Sequence, residues 1–375
     1  MKTRLLTAVI CIAPLLFASQ AAEAWSPKIS VDDDTWIQLG FLGQFRFETG
    51  QNKAGVNEDH WNYEFYTRRA RIMGLGSVHE NVRFFFSTDV PNTGGENVAN
   101  SMVWNDGFVD FQIMPELKIA FGRILVPFSV ENQASAAALL GIDYNLGLLK
   151  TPTFVDRAFW RDDGFEVRGI LFEGLIDYRL GVFRGVRDFE QNPRFEPRTT
   201  GMVLVNLQDA QPGWFYNPNS LGSLDVISFG AGFDRVPRSG RNFDDSLALS
   251  AFALIEQGIA GGRLNALIGY YNWDGPAWGG GFEGHTLGAQ LGFLIPGEVL
   301  TGRLQPVVRF QRQDDTRDPE DGGGAGLTLN TVNLGLNYYL KGQAVNFKVD
   351  YALNDRLDAD GLGADTLRLQ AQLLF

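Results

Sequence analysis

The sequence predicts an all-β fold, a transmembrane antiparallel β-barrel of about 16 strands. Three observations predict it: apolar and polar residues alternate in segment after segment, the chain ends on one such segment that closes with Phe375, and residues 1–24 have the pattern of a signal peptide. An alternating strand of about ten residues crosses a bilayer at a tilt. Only a closed barrel satisfies the backbone of such strands there.

The N-terminus predicts export. A basic start is followed by a short apolar run, residues 5–18, and by small residues that suit cleavage before Trp25. The only cysteine, Cys11, lies in the apolar run, so the mature chain has no cysteine for a disulfide or a thiolate metal site. We therefore expect a signal peptide, residues 1–24, and one barrel domain, residues 25–375.

The composition narrows the function classes. The formal net charge of the 375-residue chain is -12, which argues against nucleic acid as a partner. The mean hydropathy of -0.10 is too low for a helical membrane protein but is typical of a barrel, in which only alternate residues face lipid. The chain also has 44 glycines and 29 phenylalanines, which suit close strand packing and interfacial aromatic girdles.

The alternation divides the chain into strands. In the first of them, Phe45 and Phe47 take the lipid face and Arg46 and Glu48 take the lumen face. The predicted strands are residues 35–48, 66–76, 82–89, 105–113, 117–125, 164–171, 175–184, 199–207, 224–234, 246–256, 263–271, 286–294, 303–313, 328–341, 345–354 and 365–375.

The connections alternate in length, as expected of a barrel with short turns at one end and longer loops at the other. Short connections include residues 79–81, 114–116, 257–262 and 342–344, and longer polar ones include residues 49–62, 272–284, 314–326 and 355–364. One connection breaks this alternation. Residues 208–223 fall where a short turn is expected, so either a neighbouring strand is misplaced or this turn is unusually long.

A water-soluble β-sandwich would alternate equally well. It would rarely need both a signal peptide and a terminal aromatic strand, so we favour a barrel in the bacterial outer membrane. The aromatic C-terminus resembles the signal that outer-membrane barrels present to their assembly machinery. We therefore expect that machinery to recognise Phe375, and outer-membrane lipid to cover the apolar face.

Five short motifs occur in the first half of the chain: Arg-Ala-Arg-Ile at 69–72, Asp-Gly-Phe-Val-Asp at 106–110, Gly-Arg-Ile at 122–124, Val-Pro-Phe-Ser at 126–129 and Asp-Arg-Ala-Phe at 156–159. With their spacing, these motifs resemble the phosphate-selective porin O and P family. The resemblance runs from about residue 66 to 185. It implies a trimeric channel whose third outer loop folds into the pore and whose lumen carries basic residues that guide anions. By this resemblance the constricting loop would be residues 129–156, with the small and apolar run 134–140.

Two departures from the family bear on phosphate. Family members often carry a lysine before the Pro-Phe pair, where this chain has Leu125. The constricting loop is also poor in arginine and offers chiefly Lys150. The resemblance thus implies a general porin more strongly than it implies phosphate selectivity.

The residues predicted to face the lumen are mildly basic although the whole chain is acidic. A basic ring in a narrow pore raises the local anion concentration and supplies guanidinium donors. We therefore expect passive diffusion of small hydrophilic solutes with a preference for anions. Phosphate-like oxyanions are possible solutes. The candidate pore-lining and anion-binding residues are Arg46, Arg69, Arg71, Arg83, Arg168, Arg309 and Lys348.

Three of these arginines are the best candidates for an anion-binding cluster. Arg69, Arg71 and Arg83 come from two neighbouring strands, and we expect them to form one cluster. For any single arginine, a structural ion pair across the wall is an equally good interpretation. Arg68 has the opposite parity, so its side chain is expected to reach the lipid headgroups from the outer face.

Other functions have less support. The three histidines lie in predicted loops, turns or strand starts without metal-ligand spacing, so we expect no metal, no cofactor and no enzyme. The barrel could instead be a sheath that encloses a partner such as an electron-transfer cytochrome, although this chain has no haem-attachment motif. An adhesin would need unusually long outer loops, and those predicted here are moderate.

Overall fold

The computed structural model describes residues 27–51, 61–90, 92, 101–145, 148–150, 160–188, 190, 192–238, 244–278, 282–317, 328–356 and 365–375. The predicted signal peptide, residues 1–24, lies outside the described residues. Within the described ranges, no helix is long and apolar enough to cross a membrane.

The described residues form one closed antiparallel β-barrel. A two-residue strand, β1 (Ile29–Ser30), pairs with the start of β2, and the wall itself has 16 strands, each paired with the next along the chain. The wall strands are β2 (Trp36–Gln51), β3 (Trp61–His79), β4 (Val82–Asp89), β5 (Val103–Met114), β6 (Leu117–Leu125), β7 (Arg161–Leu171), β8 (Ile176–Phe183), β9 (Arg198–Asn206), β10 (Val226–Val236), β11 (Ser246–Ile259), β12 (Gly262–Asp274), β13 (Gly284–Leu294), β14 (Arg303–Asp315), β15 (Thr328–Lys341), β16 (Val345–Arg356) and β17 (Thr366–Leu374).

The last strand closes the barrel against the first long one. β17 pairs with β2 from Thr366 opposite Gly50 to Leu374 opposite Leu42. Beyond this ladder, the Phe41 amide donates to the Phe375 carbonyl at 2.6 Å and the Phe375 amide donates to the Phe41 carbonyl at 3.1 Å. The predicted fold class and its terminal closing strand are confirmed.

The two faces of the wall differ as the alternation predicts. In β17, Leu369 and Leu373 are 40% and 43% exposed on the outer face, whereas Gln370 and Gln372 are 3% and 1% exposed on the inner face. An apolar exposed exterior around a polar interior is the reverse of a soluble protein and is typical of a barrel in lipid.

The two ends of the barrel differ in their connections. One end, which we call the turn end, carries residues 80–81, 115–116, 172–175, 207–225, 260–261, 295–302 and 342–344. The opposite end, the loop end, carries the longer connections. The strands on both sides of residues 207–225 lie within two residues of their predicted bounds, so the unusually long turn is the correct alternative.

Two segments of the chain enter the barrel. Residues 126–145 and 148–150, between β6 and β7 at the loop end, are called the L3 segment here, and residues 207–225 are called the long turn. Both have side chains or backbone groups that bond to inward-facing residues of the wall. They meet each other where Ala134 and Tyr216 form an isolated parallel bridge.

Candidate functional site

The L3 segment lies along the inner face of the wall, held through its backbone carbonyls. Each carbonyl is the acceptor for a long polar side chain that points inward from a strand. The donors are Gln44 Nε2 to Ala136 at 3.1 Å, Gln372 Nε2 to Ala137 at 3.0 Å, Asn337 Nδ2 to Leu140 at 2.9 Å, and Lys348 Nζ to Leu139 at 2.5 Å and to Gly141 at 2.9 Å. The polar inner face thus binds an irregular segment whose backbone would otherwise lack partners.

The Asp143 carboxylate is the centre of the site. Arg46, Arg68 and Arg69 contact it at 3.0, 2.6 and 2.9 Å. Burial acts to raise the pKa of Asp143, but the positive charges of these three arginines outweigh it and hold the pKa well below its ordinary value. Asp143 is therefore ionised, and three guanidinium groups share one carboxylate. We call these four residues the Asp143 cluster.

A β-bulge brings two consecutive arginines into this cluster. Gln44 pairs with Arg69 but the next residue, Phe45, pairs with Thr67, so Arg68 is the extra residue of β3. A bulge of this kind places two neighbouring side chains on the same side of the sheet. The expectation that Arg68 reaches the headgroups from the outer face is therefore wrong, and its side chain is 2% exposed inside the barrel.

A small cavity opens beside the cluster. Its volume is about 240 Å³, and it lies among the loop-end halves of β2, β3 and β14–β17. Four arginines and two carboxylates are among its lining residues, so the cavity wall is net basic. The charged lining residues are Arg46, Arg68, Arg309, Arg368, Glu48 and Asp143.

Four of the predicted site residues converge on the L3 segment. Arg46 and Arg69 bind the Asp143 carboxylate, Arg309 Nη1 donates to the Asp143 carbonyl at 3.1 Å, and Lys348 binds the carbonyls of Leu139 and Gly141. These residues come from β14, β16, β2 and β3, which belong to a run of six neighbouring wall strands, β14–β17 followed by β2 and β3, across the closure of the barrel.

The other three predicted residues lie elsewhere, and the expected cluster of Arg69, Arg71 and Arg83 is not formed. Arg71 pairs with Asp89 at 2.9 Å on the neighbouring strand. Arg83 is exposed at the turn end of β4, opposite Ser77, which is about 20 Å along the strand from Arg71 at 3.3 Å per residue. Arg168 pairs with Asp110 at 2.8 Å. The antiparallel direction of β4 separates Arg83 from Arg69 and Arg71, because residues early in β4 pair with residues late in β3.

Sequence reasoning missed Arg68 and Asp143. The position of Arg68 depends on a bulge, and nothing in the alternation around it signals one. Asp143 is a single acidic residue in an irregular segment, and only its meeting with β2 and β3 makes it distinctive. Lys150, the basic residue singled out in the loop, is not part of the cluster: its ammonium donates to Gln313 Oε1 at 2.5 Å, and burial lowers its pKa to about 8.

Known proteins agree with this architecture. A family model described as Phosphate-selective porin O and P matches residues 33–183, which include β2–β8 and the L3 segment. The resemblance seen in the motifs is therefore confirmed over this part of the chain. Comparison with curated proteins gives no match.

Solved porin structures share the fold at low sequence identity. OmpF of Salmonella typhi, in a complex with daunomycin, is 13% identical with a TM-score of 0.62, covering 93% of this chain and 100% of that chain. The outer-membrane channel DcaP of Acinetobacter baumannii is 12% identical with a TM-score of 0.61, covering 92% of this chain and 99% of that chain. The anion-selective porin from Comamonas acidovorans is 13% identical with a TM-score of 0.57, covering 91% and 100%.

The family model and the shared fold together define the class of protein. The chain is a porin-type β-barrel, and its predicted location in the bacterial outer membrane is confirmed. The family match and the fold together support the general function of an outer-membrane channel.

Proposed function

We propose that the protein is a channel for passive diffusion of small hydrophilic solutes and that it prefers anions. The observation that carries this proposal is the Asp143 cluster, in which three guanidinium groups surround a single carboxylate beside the lumen cavity. The cluster keeps a surplus of positive charge after Asp143 is counted. In a narrow space with low-dielectric walls, such a surplus raises the concentration of anions and repels cations.

Two comparisons support the anion preference. The matching family model is described as phosphate-selective, and one structural neighbour is described as an anion-selective porin. Planar guanidinium groups bind oxyanions through paired hydrogen bonds, so small carboxylates and phosphate are the solutes that best fit this site. Phosphate selectivity in particular stays a prediction, because Leu125 replaces the lysine that family members often carry there.

The alternative of a sheath around a partner protein is less well supported. The chain's own L3 segment and long turn enter the barrel and bond to the inner wall on several sides. The cavity beside the Asp143 cluster is about 240 Å³, which suits a small solute rather than a folded domain.

We also propose that the barrel assembles as a homotrimer. On the outer face of β16, β17, β2 and β3, exposed aromatic and aliphatic side chains line a concave groove that includes Phe45, Phe65, Phe347 and Leu369. Exposed apolar surface of this kind marks a protein or membrane contact, and a second copy of the barrel is one surface that can cover it. The particle mass of the detergent-solubilised protein checks this assignment.

The proposal is tested by reversal potentials in a planar bilayer under a salt gradient. The wild type should prefer anions. The variant Arg309→Gln/Arg368→Gln, which removes two charges from the cavity wall, should lose several-fold in the anion-to-cation permeability ratio because the local positive potential falls.

A matched control removes the same charge elsewhere. Arg83→Gln/Arg184→Gln changes two exposed arginines that do not line the cavity, and should leave the permeability ratio near that of the wild type. A wild-type channel that prefers cations would rule out the anion preference, and equal shifts in both double variants would rule out the cavity as its origin.

A further inference from the structure

The long turn leaves the wall and enters the lumen. Its two ends extend the pairing of β9 and β10, with Leu207 N bonded to the Ile227 carbonyl at 2.8 Å and Asp209 N bonded to the Asp225 carbonyl at 2.9 Å. Residues 210–224 then depart from this short stem. Turn-end connections in such barrels are ordinarily brief, so a segment of this length at this end requires a physical explanation.

On one side the segment binds the wall formed by β5, β7 and β8. The Gly213 carbonyl accepts hydrogen bonds from Arg168 at 3.1 Å and Arg179 at 2.9 Å, and the Trp214 carbonyl accepts another from Arg179 at 2.9 Å. The Trp214 indole donates to Asp110 at 2.9 Å. The backbone and side chain of the segment are therefore both anchored to charged residues on this wall.

In the middle of the lumen the segment meets the L3 segment. Tyr216 N donates to the Gln133 carbonyl at 3.0 Å, and Ser135 N donates to the Tyr216 carbonyl at 2.8 Å. The Tyr216 hydroxyl donates to Asp177 at 2.7 Å. The two inserted segments thus join through a short strand-like pairing inside the barrel.

The far side of the segment binds the opposite part of the wall. Asn219 Nδ2 donates to Gln305 at 3.0 Å and to the Tyr339 hydroxyl at 2.7 Å. The amides of Ser220 and Gly222 donate to the Glu256 carboxylate at 2.8 and 2.6 Å. The segment therefore spans the lumen from β5, β7 and β8 to β11, β14 and β15.

This crossing removes the turn-end half of the lumen from water. Asn265, Gln305 and Asn346 face inward from β12, β14 and β16, yet each is 0% exposed. In an open aqueous channel, polar side chains at these positions would be wet. We propose that residues 210–224 are a plug that closes the turn-end half of the channel, and that solute passes only when this plug is displaced from the lumen. This inference rests on the proposed channel function.

The polar contacts of the plug suit reversible opening. They are hydrogen bonds to Asp110, Arg168, Arg179, Glu256 and Gln305, all of which water can solvate once the plug has left. Each such exchange changes the free energy by only about 0.5–1.5 kcal/mol. The Trp214 ring also packs against the inward-facing rings of Phe85 and Phe108, so opening in addition exposes these rings to water. The stem at Leu207 and Asp209 keeps the displaced plug attached.

The first test deletes the plug and keeps the stem. In one variant residues 210–224 are replaced by two glycines, and the open fraction in single-channel recordings is compared with that of the wild type in planar bilayers. We expect a several-fold larger open fraction in the deletion variant, because no plug remains to close the channel. Equal open fractions in both proteins would overturn the plug and leave the channel function standing, whereas no conductance in either would overturn the channel itself.

A second test keeps the whole chain. The only cysteine, Cys11, lies in the predicted signal peptide, so Asn219→Cys/Gln305→Cys introduces the sole thiol pair of the mature protein. Joining the pair with a short bifunctional thiosulfonate should abolish the open events, and a reducing agent should restore them. A monofunctional thiosulfonate is the matched control and should not lock the plug. Unchanged conductance after cross-linking would show that solute passes beside a fixed segment, contrary to the proposal.

Discussion

At the scale of single residues, the site depends on one carboxylate and three guanidinium groups. Arg46 and Arg69 were predicted to face the lumen, but Arg68 joins them only because the bulge in β3 turns two consecutive residues inward. The Asp143 carboxylate forms an ion pair with each of these three arginines. Removing one partner of such a buried set leaves the other charges without compensation, unless a diffusible ion takes the vacated place.

The first prediction at this scale concerns Asp143→Asn. The substitution removes the negative charge but keeps an oxygen that can accept hydrogen bonds, so the three arginines are left with a surplus charge that a mobile anion can neutralise. We expect the anion-to-cation permeability ratio to rise several-fold in reversal-potential measurements. We also expect the thermal stability of this variant in detergent to increase with chloride concentration more steeply than that of the wild type.

Asp234→Asn is the matched control. It makes the same charge change in a buried pair, since Asp234 accepts a hydrogen bond from Arg198 Nε at 2.8 Å, on strands across the barrel from β2 and β3. Its effect on the permeability ratio should be small. A ratio that falls or stays constant in Asp143→Asn would contradict the role given to the Asp143 cluster.

At the scale of elements, the wall and the inserted segments fit through small residues. A Cβ built on Gly232 of β10 would lie 2.2 Å from the Phe128 carbonyl oxygen at the start of the L3 segment. The Ser250 hydroxyl donates to that same carbonyl at 2.6 Å. The absence of a side chain at Gly232 therefore lets the L3 segment approach the wall.

A single added methyl group tests this fit. Gly232→Ala places a carbon against backbone atoms that have little room to move, so we expect it to lower the free energy of unfolding by about 1–3 kcal/mol. Gly335→Ala is the control, because its added Cβ would meet its nearest atom at an ordinary 3.4 Å. Thermal unfolding in detergent measures both, and equal midpoints would show that the L3 segment is not closely packed at Gly232.

The connections show what sequence patterns can and cannot predict about elements. The alternation of short and long connections correctly marked residues 208–223 as anomalous, and the flanking strands are where they were expected. The pattern could not indicate where this segment goes. Its path depends on partners such as Gln305 and Tyr339, which are more than one strand away in space and 86 and 120 residues away in sequence.

At the scale of the whole molecule, closure of the barrel joins the last wall strand, β17, to the first, β2. Phe375 exchanges two backbone hydrogen bonds with Phe41, and the two rings lie 5.5 Å apart. The backbone bonds hold the strand in place whatever the side chain is. The exposed ring of Phe375, at the edge of the barrel, is thus available as the assembly signal that the sequence predicts.

The corresponding prediction separates assembly from stability. Phe375→Ala should reduce the amount of folded barrel in the outer membrane of expressing cells several-fold, while the purified protein should still refold in detergent. Phe121→Ala, which removes an outward-facing ring from the middle of β6, should assemble normally. Normal membrane levels of Phe375→Ala would contradict recognition of the terminal ring by the assembly machinery.

The sequence by itself determined the properties that depend on local periodicity. Alternation with a period of two residues specifies strands and their two faces, and strands of this kind in an acidic chain with a predicted signal peptide indicate an outer-membrane barrel. It therefore predicted β4, β6 and β15 to the residue. It also predicted that Arg46, Arg69, Arg309 and Lys348 face inward.

Only the tertiary structure decided what those residues meet. The bulge at Arg68 is a property of the pairing between two strands, and Lys348 bonds to a carbonyl 209 residues away in sequence. The antiparallel order of strands, rather than their individual patterns, separates Arg83 from Arg69 and brings Arg309 to the Asp143 cluster. Occupation of the lumen by the L3 segment and the long turn is likewise decided by contacts between distant parts of the chain, because irregular segments have no period from which their partners can be read.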